Sequence, residues 1–447
     1  MINVIAIDNL RGIPFSAKLG LSLISYYAIA ALIFFIPTAL VVAELATSFP
    51  NKGGIYVWVK EAFGDFYGFI TIWLQWIYNV VWYPTILTFV AANFATMINP
   101  SLEKNNLYTW LTITVLFWTC TFINYYGLKV SSVISTIGAT IGTLLPMLVV
   151  TLIGLKWFID GNPSAMDLSF SSLSIQPSNL KHLSIFCFII FGLIGIEMSA
   201  VHADEVDMPK RAYPKAIWQS SIIIFVSLIL STLAVSLVVK GNDLSVTTGL
   251  IQAFIIIFQS YHIDYLIPYL TICIIIGSIS SVVTWIIGPT KGLLVASYDN
   301  CLPKWFSKTN SEQIPTNILR LQAAVFTALS FSYLFIPNVD SVYEILSILT
   351  TQLALFIYIL MFASAIKLRY KNQNNKNGFQ VPGGKLGLSV VAAVGTITCI
   401  SVIIIGFIPP PEVHLNTKSY IFTMLIALFL CIAPAVFLYN KAKRIKL

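Results

Sequence analysis

Apolar residues run in blocks of about 20 or more, divided by short stretches rich in Gly, Pro, Asn and charge. A backbone in lipid must satisfy its own hydrogen bonds, and about 20 helical residues cross the hydrocarbon. The blocks predict eleven complete spans, at 21–46, 66–98, 107–124, 130–158, 183–203, 214–240, 266–289, 316–336, 341–368, 384–408 and 419–440. The first segment breaks the pattern. Met1–Ile7 is apolar but too short to cross, and Asp8-Asn9-Leu10-Arg11-Gly12-Ile13-Pro14 interrupts it. Charge follows the apolar run instead of preceding it, so a signal peptide is not expected. The segment reads as the second half of a broken helix, the first half being truncated. Trp73, Trp76, Trp82 and Tyr83 are expected as interfacial anchors.

Composition sharpens this picture. Hydrophobic residues make up 57% of the 447 and charged residues only 10%. A soluble chain of this length cannot hide so much apolar surface, and a disordered chain would not carry it. The fold class is therefore an all-α polytopic membrane protein. The net charge of +8 would suggest nucleic acid in a soluble domain, but here it follows from the loops. Of 26 Lys and Arg, nineteen fall in loops on one side and six on the other; Arg11 belongs to neither. That asymmetry puts the C-terminus and the 47–65, 204–215, 290–315 and 369–385 loops in the cytoplasm. The six cysteines are scattered and show no metal-ligand spacing, so they read as small buried hydrophobes. No HExxH, GxSxG, P-loop or GxGxxG motif is present, so neither an enzyme nor a resident cofactor or metal is expected.

Two stretches carry chemistry. In Phe191-Gly-Leu-Ile-Gly-Ile-Glu-Met-Ser-Ala-Val-His-Ala-Asp-Glu205 an apolar helix runs into Gly192, Gly195 and then Glu197. Glycines permit unwinding, and a carboxylate inside a span is costly unless it works. The pattern predicts a discontinuous helix whose freed amides line a cavity. His202, Asp204 and Glu205 follow, as further titratable groups or as a solvated end. Asp8–Pro14 is the second stretch, read as unwound backbone at the midplane or as a polar tail outside lipid. In the first reading a substrate carboxylate sits on amides at a half-helix N-terminus, and Arg11 pairs a second carboxylate or Asp8. Glu44 is expected at the membrane interface. Trp285 is either a gate over the site or a core aromatic.

These motifs together resemble the amino acid–polyamine–organocation superfamily. The landmarks are Glu44…Pro50-Asn-Lys-Gly-Gly-Ile-Tyr-Val-Trp58, Gly195-Ile-Glu197-Met-Ser-Ala200, Asp207-Met-Pro-Lys-Arg-Ala-Tyr-Pro214, Gly288-Pro-Thr-Lys-Gly-Leu-Leu with Leu302-Pro303, and Val381-Pro-Gly-Gly-Lys385. Within it, the chain is similar to the bacterial glutamate:γ-aminobutyrate antiporters. The resemblance implies two inverted five-helix repeats, at 1–158 and 183–369, followed by two helices at 384–440, the first helix being incomplete. It implies broken helices 1 and 6 around a midplane site. Asp8, Arg11, Gly12, Gly195 and Ile196 would bind substrate there. Tyr83, Trp285 and Tyr358 match positions lining the cavity. Glu197 matches an acid tied to gating or proton coupling, a role extended to His202. The chain departs from the superfamily pattern in its first break, where Asp8–Pro14 replaces Gly-Ser/Ala-Gly. It also departs at its tail: Asn440–Leu447 is short and basic, so closure by a C-terminal plug is not carried over.

The function expected is secondary transport of amino acids by exchange, in the inner (plasma) membrane, with no nucleic-acid partner. A proton-coupled symporter is the alternative within the class. A non-transporting scaffold or sensor is the alternative outside it.

Overall fold

The computed structural model describes residues 7, 10–49, 54–126, 133–134, 136–175, 180–198, 209–336, 338–371, 378–410 and 412–444. Asp8, His202, Asp204 and Glu205 lie outside them, as does the Pro50–Gly53 part of the first loop. The described residues form helices and loops and contain no strand. Ten of the helices are long and apolar enough to cross a membrane.

A 3-10 turn at Leu10–Gly12 leads into the short helix α1 (Ile13–Ala17). Ile13, Phe15 and Ala17 are buried, so this segment is core and not a solvated tail. Then come α2 (Gly20–Ser48), α3 (Ile55–Phe63), α4 (Asp65–Ile98), α5 (Asn106–Asn124) and α6 (Thr140–Ile159). The second half holds α7 (Leu180–Phe191), α8 (Pro209–Val238), α9 (Gly249–Ser260), α10 (Ile267–Tyr298), α11 (Thr316–Ser330) and α12 (Val339–Lys371). Finally, α13 (Gly384–Ile405) and α14 (Thr417–Arg444) flank the bundle.

Helices α4 and α12 are central. Their 34 and 33 residues exceed the roughly 20 that a crossing needs, and nearly all their mid-span side chains are buried. Chains such as Val115, Phe122, Phe429 and Leu386 instead stand exposed on the outer helices, the faces lipid would cover. Helices α6 and α10 cross almost backbone to backbone. A Cβ on Gly142 would fall 2.2 Å from Gly277 Cα, and one on Gly138 would fall 2.1 Å from Ser280 Cβ. Close approach of this kind is how small residues drive helix association in lipid.

Three expectations need correction. The 183–203 block is not one continuous helix, because among its described residues α7 stops at Phe191. Trp73, Trp76, Trp82 and Tyr83 are not interfacial anchors. They lie within α4 with exposures of 6% or less, Trp73 packed on Trp76 and Trp82 on Tyr83. Glu44 is 4% exposed and ion-paired, not a solvated interfacial acid. Helices α3 and α9 are additions, too short for a hydropathy block to reveal them.

Polar bridges join ends that the charge count places on one side. Lys18 pairs with Glu412 at 3.0 Å. Lys60 pairs with Asp299 at 2.6 Å, and the Tyr56 hydroxyl donates to the same carboxylate. Burial raises the Asp299 carboxyl, but the Lys60 and Tyr56 hydrogen bonds outweigh it and hold it below the usual carboxylate range. The bridge therefore persists at neutral pH and is lost only as acid protonates Asp299.

Candidate functional site

The site begins with the interruption after α7. Gly192, Leu193 and Ile194 donate to Phe188, Ile190 and Phe191 carbonyls, so the ladder tightens and then stops. Gly195 has φ +125°, a conformation that side chains with a Cβ rarely adopt. Its N–H, released from the ladder, donates to the Tyr358 hydroxyl at 3.0 Å. That hydroxyl in turn donates to the Glu197 carboxylate. Glu197 and Tyr358 are 3% and 1% exposed. One tyrosine on α12 thus ties both the freed amide and the buried acid. Gly195→Ala is expected to cost about 1–3 kcal/mol of local strain. Transport should fall at least tenfold, measured as initial uptake at matched protein in vesicles.

Arg11 lies opposite, in the turn before α1. Its guanidinium is 3% exposed and donates to Thr85 Oγ1 at 2.8 Å and Ser347 Oγ at 3.0 Å. It stacks 4.7 Å over the Phe191 ring at the end of α7. The turn before α1 and the break after α7 therefore meet through a cation and an aromatic face.

Between them is a cavity of about 40 Å³, room for on the order of three waters. Arg11, Gly12 and Phe15 line it from the first segment. Phe188, Phe191, Gly192 and Ile194 line it from the second, and Tyr78, Asn79 and Trp82 from α4; Trp285 lines it from α10. Phe15 stacks on Phe188 at 3.9 Å, and Trp285 sets its edge toward Tyr78 and Trp82 at 6.3 and 6.0 Å. Asn79 Nδ2 donates to the Gln75 carbonyl, while Asn79 Oδ1 has no hydrogen-bond partner among the described residues. The walls thus offer one buried cation, one free acceptor and flat aromatic faces. Such a set suits a small zwitterion with an anionic group.

Of the residues singled out from sequence, Arg11, Gly12 and Trp285 line the cavity. Gly195 and Ile196 lie beside it in the break, and Glu197 and Tyr358 form the layer behind. Tyr83 does not join them. It is not among the lining residues and packs on Phe117 at 4.9 Å. Asn79, Phe15, Tyr78, Trp82 and Phe191 were not anticipated as site residues. Asn79 had a signal, as an amide in the middle of an apolar block.

Trp285→Ala would remove a wall and open the cavity. Apparent substrate affinity is expected to weaken about tenfold in a concentration series of uptake. Unchanged uptake would return Trp285 to ordinary core packing.

A model of the amino acid permease family matches residues 4–430, nearly the whole chain. The chain belongs to the amino acid permease family. The permease is 51% identical over 416 residues to an uncharacterized transporter of Legionella pneumophila, covering 93% of this chain and 89% of that one. It is 29% identical over 420 residues to a glutamate/gamma-aminobutyrate antiporter of Lactococcus lactis, covering 93% and 84%. It is 26% identical over 395 residues to a probable agmatine/putrescine antiporter of the same species, covering 88% and 83%. The family and these relatives are named as transporters and not as enzymes, and the permease is a multi-pass membrane protein.

Proposed function

We propose that this permease exchanges an acidic amino acid for a related amino acid or amine by alternating access. The observation that carries the reading is Arg11, a cation buried among aromatic rings in a cavity between the turn before α1 and the break after α7. A guanidinium in such surroundings attracts a carboxylate strongly, because little water screens it. The α-ammonium would be taken by Asn79 Oδ1 and by carbonyls freed at the break. The relatives named for antiport support exchange over net uptake. Residues 1–158 and 183–369 would form the two inverted repeats that rock around the cavity, and 384–440 the appended pair. The basic loops support an inner-membrane location with the C-terminus in the cytoplasm.

Counterflow in proteoliposomes tests this. Labelled glutamate is offered to vesicles preloaded with glutamate, with γ-aminobutyrate, or with buffer. Uptake confined to preloaded vesicles is expected. Equal uptake into empty vesicles that rises with an inward proton gradient would instead establish symport, a reading that buried Glu197 favours.

A further inference from the structure

One face of α12 carries polar contacts at a regular interval. Ser347, Tyr358 and Arg369 stand eleven residues apart on an uninterrupted helix. Eleven residues at about 100° each return within about 20° of the start, so the three share a face and are spaced by about 16 Å. Ser347 holds Arg11. Tyr358 holds Gly195 and Glu197. Arg369 holds Glu44, at the end of α2, with 2.5 Å between Nη1 and Oε2.

The last contact is more than a surface ion pair. The two side chains are 11% and 6% exposed. Glu44 Oε2 also accepts from the Val381 backbone N–H at 2.8 Å, and Thr47 Oγ1 accepts from Phe379 N–H at 3.0 Å. A Cβ on Gly378 would lie 2.9 Å from Thr47 Oγ1. Residues 378–381 are therefore clasped onto the end of α2. A narrow crevice runs along this seam between Ser48 and Phe49 on one wall and Ala365 and Leu368 on the other. The clasp sits across it.

The geometry points to Glu44 and Arg369 as the lock of the cytoplasmic exit, carried on the same helix, α12, that contacts Arg11, Gly195 and Glu197. This rests on the carrier reading and on the sidedness of the loops. Opening requires Arg369 to leave Glu44. A departing substrate carboxylate can replace Glu44 at the guanidinium for the moment of release, so no charge is stranded. Because all three contacts belong to one helix, a shift of α12 that disturbs the cavity also strains the lock.

The test uses a cysteine behind the lock. Ala365 is 1% exposed, lines the crevice and lies one turn from Arg369. Ala365→Cys would be placed in the full chain in inside-out vesicles and labelled with a charged, membrane-impermeant thiol reagent. Labelling of the unsubstituted protein is subtracted. Slow labelling is expected, rising at least tenfold with added Arg369→Gln or Glu44→Gln. The doubly swapped Glu44→Arg, Arg369→Glu protein should label slowly again. Arg369→Lys, which keeps the charge but loses the fork, should fall between and serves if Arg369→Gln does not fold. Equal rates in all variants would overturn the lock, as would fast labelling of Ala365→Cys alone. Labelling needs no transported substrate, so a protein that fails counterflow yet shows the expected labelling series refutes the exchanger and supports the lock.

Discussion

Replacing Arg11 by glutamine should lower glutamate exchange by at least about thirtyfold. The change removes a buried charge that would face the substrate's carboxylate, and removing one partner of such a pair costs about 2–5 kcal/mol. Each 1.4 kcal/mol is a tenfold change. Glutamine keeps a polar amide in the turn while removing the charged group from which Thr85 Oγ1 now accepts a hydrogen bond. A neutral amino acid should be affected far less. The measurement is competition of labelled uptake by acidic and neutral amino acids in the two proteins. An unchanged preference would remove Arg11 from recognition and leave it a strut between α4 and α12. Arg11→Lys is expected to recover only part of the activity, because an ammonium cannot hold two hydroxyls and a carboxylate with the same planar fork.

Glu197→Gln is expected to act on a different parameter. Glu197 does not line the cavity but receives the Tyr358 hydroxyl behind it. Glutamine keeps an acceptor there and removes the charge. Maximal exchange should fall at least tenfold while apparent affinity stays within about threefold. Tyr358→Phe should resemble it, because the Gly195 N–H then loses its partner at a cost of about 1–3 kcal/mol. Full concentration series for both proteins check this. A large change in affinity with the rate preserved would bring Glu197 into contact with substrate instead.

The helical blocks were legible because hydropathy reports length in lipid directly. The break was legible too, since Gly192, Gly195 and Glu197 are each costly in a span and stand together. What stayed hidden was which face of each helix looks inward. In water an apolar stripe marks the core, but here lipid-facing and buried faces are equally apolar. Trp73 and Trp82 were therefore misplaced to an interface, and Tyr83 to the cavity. The Tyr358–Glu197 and Arg369–Glu44 contacts span 161 and 325 residues. Such separations are set by how the helices stack, which no local pattern encodes. Helices α3 and α9 escaped notice because nine and twelve residues are too few to cross.

The tightness of the central cavity bears on the membrane as well as on the cargo. Space for about three waters, walled by Phe15, Phe188, Trp82 and Trp285, is far shorter than a file of water across the membrane. Protons hop along such files, and small ions need them for hydration. A carrier that stays this narrow at its centre would act as an electrical insulator between turnovers. Cells could hold many copies without short-circuiting the gradients that their other pumps maintain.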